Sequence, residues 1–349
     1  MTNAAAVSRL QNQLEDERRL VSFDSYDMTV RQIFDMFSEG AIFVPPEYQR
    51  QFVWDTDREA VLIESILLGI PVPSLFMATN KDSTWEIVDG VQRLSTIAHF
   101  IDPSDDFLKA INRKGSLKIA NLEKLTELNG FTFSDLPKSM QLMFMTRPIR
   151  VTVLNDKSDM SVRFDLFERL NTGGVLLTNQ EIRNCIFRGV FNQNLKKLSK
   201  LPDFATAVRL KDAAHQNGMV EEYVLRFFAY LENHDAFDGS VKEFLNDYMK
   251  NNAEKAISPS KISLFKKTFS ALAEAYPNGI TRGQSATTGA NLYEALAVGV
   301  ALAILAKKNI SKDKLEKLAE NSELKKLTTV GTNSRKMLLS RIHFVRDAL

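Results

Sequence analysis

The sequence of 349 residues has only one cysteine, Cys185, together with 10 prolines and 15 glycines. A single thiol excludes an intramolecular disulfide, a paired-cysteine redox motif and a cysteine-rich zinc site, and it favours a reducing compartment. So little proline and glycine excludes a collagen-like or low-complexity chain. Hydrophobic residues at 44% and charged residues at 25% are typical of a globular protein, and the length predicts two domains.

Long hydrophobic runs are also missing. The longest apolar stretch, residues 295–305, is shorter than the ~20 residues that a membrane-spanning helix needs, so it predicts a buried helix. Residues 1–20 are polar and lack the apolar centre of a secretory signal. We therefore expect a cytoplasmic protein with no membrane segment.

The net charge is only +2, but residues 306–349 hold eleven Lys and Arg against five Asp and Glu. A basic segment of this kind can contact phosphate or an acidic partner. Lys interleaved with Glu, as around Lys325 and Lys326, more often marks a solvated helix face, which is the favoured interpretation.

Known metal and nucleotide motifs are absent from the sequence. No HxxH, HExxH or His/Cys pairing occurs, so zinc chemistry is not expected, and no GxxxxGK[ST] phosphate loop is present. We expect that any metal is Mg²⁺ that arrives with a nucleotide. The four histidines are far apart in sequence, and we expect His234 and His343 to stand alone; the other two are His99 and His215.

Hydrophobic periodicity predicts a mixed α/β domain over residues 1–155 and a helical domain over residues 156–349. In the first domain, residues 75–78 and 85–88 are predicted to form a hairpin, and residues 149–154 a strand. A helix that ends at residue 68 is predicted to be capped by Thr56 or Asp57.

The segment WEIVDGVQRLSTI, residues 85–97, predicts a strand that passes through Gly90 into a helix. Free N–H groups and a positive dipole end at such a helix start bind anions. Arg93 can pair with a phosphate, Gln92 adds uncharged donors, and Asp89 is the candidate metal ligand or orienting acid. The alternative is structural, since a strand-to-helix turn needs a glycine and Asp89 can act as a helix cap.

The segment PPEYQRQFVW, residues 45–54, predicts an exposed loop because its two prolines exclude a regular strand or helix. Tyr48, Gln49, Arg50 and Trp54 give it an aromatic and basic character that suits a nucleobase and its phosphates. The alternative is that the aromatic side chains pack the following helix onto the core.

The segment FERLNTGGVLLTNQEIRN, residues 167–184, predicts a helix end, a turn and a new helix. Thr178 and Glu181 fit a capping box. Asn171 and Thr172 are candidates to line a ligand pocket, and the alternative is that the two glycines only reverse the chain.

Together these segments resemble the domain-of-unknown-function 262 family, the GmrSD-type N-terminal domain of modification-dependent restriction systems. The matching motifs lie at residues 46–54, 89–96 and 167–178, and the resemblance covers roughly residues 25–235. It implies an α+β fold, in which a small ParB/sulfiredoxin-like domain precedes a mostly helical one, and binding or hydrolysis of a nucleoside triphosphate. The implied catalytic residues are Asp89 and Arg93, and the implied nucleotide-binding residues are Tyr48, Gln49, Arg50, Trp54, Gly90, Gln92, Thr96, Arg169, Asn171 and Thr172.

One departure from the family pattern is Val91, where the D-G-Q-Q-R motif has Gln. The resemblance also implies an HNH-type nuclease, whose histidine cluster is missing from this sequence, so a separate nuclease partner is expected. The leading hypothesis is a nucleotide-binding, NTP-hydrolysing module that uses Mg²⁺ and senses foreign DNA or gates that nuclease in antiviral defence. The alternative is a non-catalytic DNA-binding adaptor whose pocket binds nucleotide or DNA phosphate without hydrolysis. Its contact surface would be the basic segment from Lys307 to Arg346, including Lys325 and Lys326, and either form is compatible with a homo-oligomer.

Overall fold

The computed structural model describes residues 2–19, 22–45, 52–80, 82–155, 160–170, 177–215, 217–329 and 334–349. The chain forms two compact units, Met1–Leu176 and Leu177–Leu349. The first contains all five strands of the described residues and the second is helical, which confirms the predicted α+β class. The domain boundary expected after residue 155 stays a prediction. No helix within the described ranges is long and apolar enough to cross a bilayer.

The first unit is built on a mixed sheet with the strand order β1-β5-β3-β4-β2. Strands β3 (Leu75–Thr79) and β4 (Trp85–Asp89) form the predicted hairpin, and β5 (Pro148–Leu154) lies parallel to β3. Strand β2 (Ile42–Phe43) adds to β4 in parallel. The sequence does not predict β1 (Phe23–Thr29), which pairs with β5 in antiparallel register and is mostly exposed.

The helices of the first unit begin and end largely where turn and cap residues predict. Thr29 and Gln32 form a capping box at the start of the helix Val30–Ser38. The helix that ends at Leu68 is capped by Asp55, whose Oδ1 accepts from the Arg58 N–H at 2.9 Å, so the expected caps Thr56 and Asp57 are wrong by one or two residues. The helices are α1 (Thr2–Arg19), α2 (Val30–Ser38), α3 (Thr56–Leu68), α4 (Val91–Ile101), α5 (Asp105–Ala110), α6 (Lys138–Met145) and α7 (Met160–Leu170).

The core of the first unit lies between the sheet and helices α2, α3 and α4. Leu75 and Ile87 from the sheet, Ile63 from α3 and Ile97 from α4 are completely inaccessible to solvent. Each such side chain contributes roughly 1.5–3 kcal/mol of burial free energy. This packing fixes the turn at which β4 passes into α4.

The second unit packs its helices around aromatic side chains and the apolar helix predicted at residues 295–305. Gly299 lies where that helix crosses the last one, since an added Cβ would come within 2.6 Å of the Val345 Cβ. The helices are α8 (Asn179–Ile186), α9 (Val190–Leu198), α10 (Pro202–Ala207), α11 (Met219–Asn233), α12 (Val241–Asn252), α13 (Pro259–Ala275), α14 (Ala290–Leu305), α15 (Lys312–Leu318), α16 (Ser322–Thr329) and α17 (Arg335–Ala348).

Buried ion pairs connect four helices of the second unit. Glu294 of α14 accepts from Arg226 of α11 at 2.6 Å and from Arg341 of α17. Glu222 of α11 accepts from Arg226 at 2.7 Å and from Arg183 of α8 at 3.1 Å. Removing one member of such a network leaves a buried charge without compensation, which costs about 3–5 kcal/mol.

We expect Glu294→Gln to lower the free energy of unfolding by about 3–5 kcal/mol, because Arg226 and Arg341 then face a neutral amide. Urea unfolding followed by circular dichroism measures this loss. Glu323→Gln is the matched control, since the Glu323 side chain is 60% exposed and its pair with Lys326 is worth little. Equal stability of the two variants would contradict a structural role of the network.

The stability of the second unit should also depend on pH, through the ionisation of Glu222. Although burial opposes the charged form of Glu222, the guanidinium groups of Arg226 and Arg183 lower its pKa below the ordinary 4.5. The unfolded chain therefore takes up this proton first, so the contribution is present above pH 4.5 and is lost as the pH falls through the lowered pKa. We expect wild type to lose stability below pH 4.5 more steeply than Glu222→Gln, as measured by thermal unfolding across pH. Identical pH slopes would contradict this assignment.

Candidate functional site

The turn between β4 and α4 is formed by Gly90, whose φ of +100° lies in the left-handed region. An added Cβ would lie 2.5 Å from the Leu75 Cδ2, so packing as well as conformation requires glycine here. Gly90 is itself buried, and the next three residues of the helix are half-buried. Protein atoms therefore fill the space beside the Gly90 Cα, and the glycine is needed because of the turn's conformation and packing.

Gly90 is the N-cap of α4, and it supplies no side chain to cap the helix. The expected alternative, in which Asp89 caps the helix, is therefore not what the structure has. The first turn of α4 offers N–H groups and the positive end of the helix dipole at a half-buried surface. Such a helix start is suited to an anion.

Arg93 connects this first turn to the chain in front of β3. Its Nη1 donates to the carbonyl oxygens of Pro73 at 2.5 Å and Ser74 at 2.8 Å, and its Nη2 donates to Asp89 Oδ2 at 2.5 Å. The Arg93 side chain is 13% exposed. The charge of Arg93 is thus already paired with Asp89. To contact a phosphate, Nη2 must either bind it in addition to the Asp89 carboxylate or release that carboxylate.

Gln92 brings a second predicted motif to the same helix end. Its Oε1 accepts from the backbone N–H groups of Val53 at 3.1 Å and Trp54 at 3.2 Å. Trp54 and Phe52 are half-buried beside α4. The structure therefore joins the motif that ends at residue 54 to the one that begins at residue 89.

Two other predicted site residues, Thr96 and Arg169, have different surroundings. Thr96 is completely buried inside the first unit, and its Oγ1 has no hydrogen-bond partner among the described residues. Arg169 is exposed in the last turn of α7, a helix that packs along β4. Tyr48, Gln49, Arg50, Asn171 and Thr172 lie outside the described residues.

A buried group that the sequence does not single out lies behind residues 52–54. Glu59, with no exposed surface, accepts from Arg113 Nη2 at 3.0 Å and lies 2.6 Å from His99 Nδ1. Arg113 Nη2 also donates to the Trp54 carbonyl at 2.6 Å. A glutamate in the first turn of a helix is ordinarily a solvated partner of the helix dipole, so no sequence signal marks this one as buried.

His234 and His343, expected to stand alone, are neighbours in the second unit. Their ring centroids are 6.1 Å apart and the rings are nearly perpendicular. Burial, together with Arg346 and His234, lowers the pKa of His343 below its ordinary 6.5. Throughout the described part of the chain, no group of three or more His, Cys, Asp or Glu side chains is arranged to hold a metal ion.

Lys325 and Lys326, the residues of the DNA-binding alternative, are exposed on α16. Lys326 donates to Glu323 Oε1 at 2.8 Å in a pair spaced by three residues. This is the charge pattern of a solvated helix face.

Residues 30–188 match the family model described as the N-terminal domain of the GmrSD restriction endonuclease. No curated protein and no solved structure gives a match to the chain. The matched range includes the hairpin, Gly90, the whole of α4 and the Glu59 group.

We expect Gly90→Ala to destabilise the first unit by about 2–4 kcal/mol, because it combines a left-handed φ with a Cβ contact of 2.5 Å. Gly40→Ala is the matched control, since Gly40 has a φ of +77° but an added Cβ there meets nothing within 4 Å. The difference between the two variants in urea unfolding measures the packing part alone. Equal losses would contradict the close contact with Leu75.

Proposed function

Because residues 30–188 match the model of the N-terminal domain of the GmrSD restriction endonuclease, we propose that this chain binds a nucleoside triphosphate at the first turn of α4 and hydrolyses it to gate a nuclease. The observation that carries the proposal is the start of α4, where no side chain among the described residues caps the helix and Gln92 joins it to residues 53 and 54. An anion site and an aromatic side chain are thereby next to each other. This combination suits the phosphates and the base of a nucleotide.

The charges near this helix end support phosphate binding in particular. Arg93 is the described cation of the first turn, and Arg50, which lies outside the described residues, stays a candidate from the sequence motif alone. The carboxylate of Asp89 is 27% exposed and pairs with Arg93 through Oδ2, and it would be the ligand for a Mg²⁺ ion on the nucleotide, since such an ion is usually held by one or two carboxylates. In phosphoryl transfer, positioned cations and backbone N–H groups act by neutralising the charge that develops on the phosphate oxygens.

A GmrSD-type system implies DNA and a nuclease as partners. We propose that the nuclease is a separate HNH-type subunit and that nucleotide turnover controls when it acts on DNA. The non-catalytic adaptor is the competing proposal, and Val91 in place of the usual Gln is the feature in its favour.

We expect calorimetry with Mg²⁺ and ATP, GTP, CTP or UTP to detect binding of at least one nucleotide to wild type, and turnover assays to detect its hydrolysis. Arg93→Ala should weaken binding by about 10- to 100-fold, the effect of losing a charged hydrogen-bond donor. Arg150→Ala is the control, because it removes an equal charge from an exposed pair with Asp27 on the sheet.

Circular dichroism melting of both variants separates lost binding from lost folding, since Arg93 also supports Pro73 and Ser74. Binding that Arg93→Ala leaves unchanged would contradict the proposed site. If wild type binds none of the four nucleotides, the proposed function is wrong and the adaptor becomes the better account.

A further inference from the structure

Residues 52–54 are held by two side chains, Gln92 of α4 and Arg113 from the segment after α5. On one side, Gln92 of α4 accepts from the N–H groups of Val53 and Trp54. On the other side, Arg113 donates to the Trp54 carbonyl at 2.6 Å, and its guanidinium lies 5.3 Å from the centre of the Phe52 ring. Each of the three residues is therefore engaged, Phe52 through its ring, Val53 through its N–H group and Trp54 through both its N–H and its carbonyl group.

Arg113 is itself fixed by a buried carboxylate. The same Nη2 that donates to Trp54 donates to Glu59 Oε1 at 3.0 Å, and Glu59 has no exposed surface. The second oxygen of Glu59 lies 2.6 Å from His99 Nδ1, and the other ring nitrogen of His99 lies 2.8 Å from the Gly115 carbonyl. Glu59 is thus held between an arginine and a histidine, and a buried carboxylate is stable only with hydrogen-bonding partners of this kind.

This chain of contacts leads from the interior of the first unit to the proposed nucleotide site. Glu59 fixes Arg113, and Arg113 fixes residues 52 and 54. Gln92 joins residues 53 and 54 to the first turn of α4. An Arg is suited to this task, because its planar group can donate to two oxygens and also lie over an aromatic ring.

We propose that Arg113, held by the buried Glu59, is a positioning residue that fixes Phe52 and Trp54 beside the first turn of α4 and thereby raises the affinity for a nucleoside triphosphate. The inference rests on the proposed function. Arg113 does not contact the phosphates in this account, so it acts on affinity through the orientation of residues 52–54.

The test compares Arg113→Ala, Arg113→Lys and Lys109→Ala. Lys keeps a cation beside Glu59 but loses the planar group, and Lys109 is a nearby control whose side chain is 77% exposed. Nucleotide affinity is measured by calorimetry with each Mg²⁺-nucleotide in turn, at a temperature where melting curves show every variant folded.

A second readout reports on the loop without any nucleotide. The protein has two tryptophans, Trp54 and Trp85, so a Trp85→Phe background leaves Trp54 as the single fluorophore. Acrylamide quenching of its fluorescence then measures how firmly residues 52–54 are held. A role in folding alone would change the melting temperature but not quenching or affinity in the folded state.

We expect Arg113→Ala to weaken nucleotide binding about tenfold, as when one charged hydrogen bond is lost, and to increase quenching of Trp54. Arg113→Lys should recover part of both effects, and Lys109→Ala should match wild type. The inference is overturned if wild type binds nucleotide and Arg113→Ala binds it equally well, or if quenching of Trp54 does not change. Absence of binding by wild type itself defeats the proposed function, and with it the inferred effect on affinity.

Discussion

The first unit depends on one backbone conformation, the left-handed turn at Gly90. Strand β4 ends and helix α4 begins on either side of this residue, and Leu75 occupies the space that any side chain would need. Because the helix starts there, Arg93 reaches the carbonyl groups in front of β3 and Gln92 reaches the N–H groups of residues 53 and 54. The parts of the candidate site meet only because that turn is made.

Both units also place a glutamate where solvent cannot reach it. Glu59 in the first unit and Glu294 in the second each have two basic partners from other elements. A buried carboxylate of this kind adds little net stability, but an arrangement that leaves it unpaired is strongly disfavoured. In the second unit the pairs fix how α11, α14 and α17 pack. In the first unit, the Arg113 that pairs with Glu59 also holds residues 52–54 at the proposed site. The buried carboxylate is therefore a constraint on both the fold and the proposed function.

Local patterns predicted much of this fold. The hairpin of β3 and β4, the helix after Gly90, the capping box at Thr178 and the buried helix at residues 295–305 follow from spacing, turn residues and hydropathy, which depend on neighbours in sequence. Strand β1 escaped prediction because its exposed residues pair with a segment more than a hundred positions away. The Glu59 group and the His234–His343 contact are likewise distant in sequence, and no local signal marks them.

Hydrogen–deuterium exchange on the intact chain, with and without Mg²⁺-nucleotide, tests the central claim most directly, because backbone N–H groups at the start of α4 are the proposed phosphate donors. The account predicts that a bound nucleotide slows exchange in peptides covering residues 52–54 and 90–94 and leaves α16 and α17 unchanged. A nucleotide that binds but protects only residues elsewhere would contradict it.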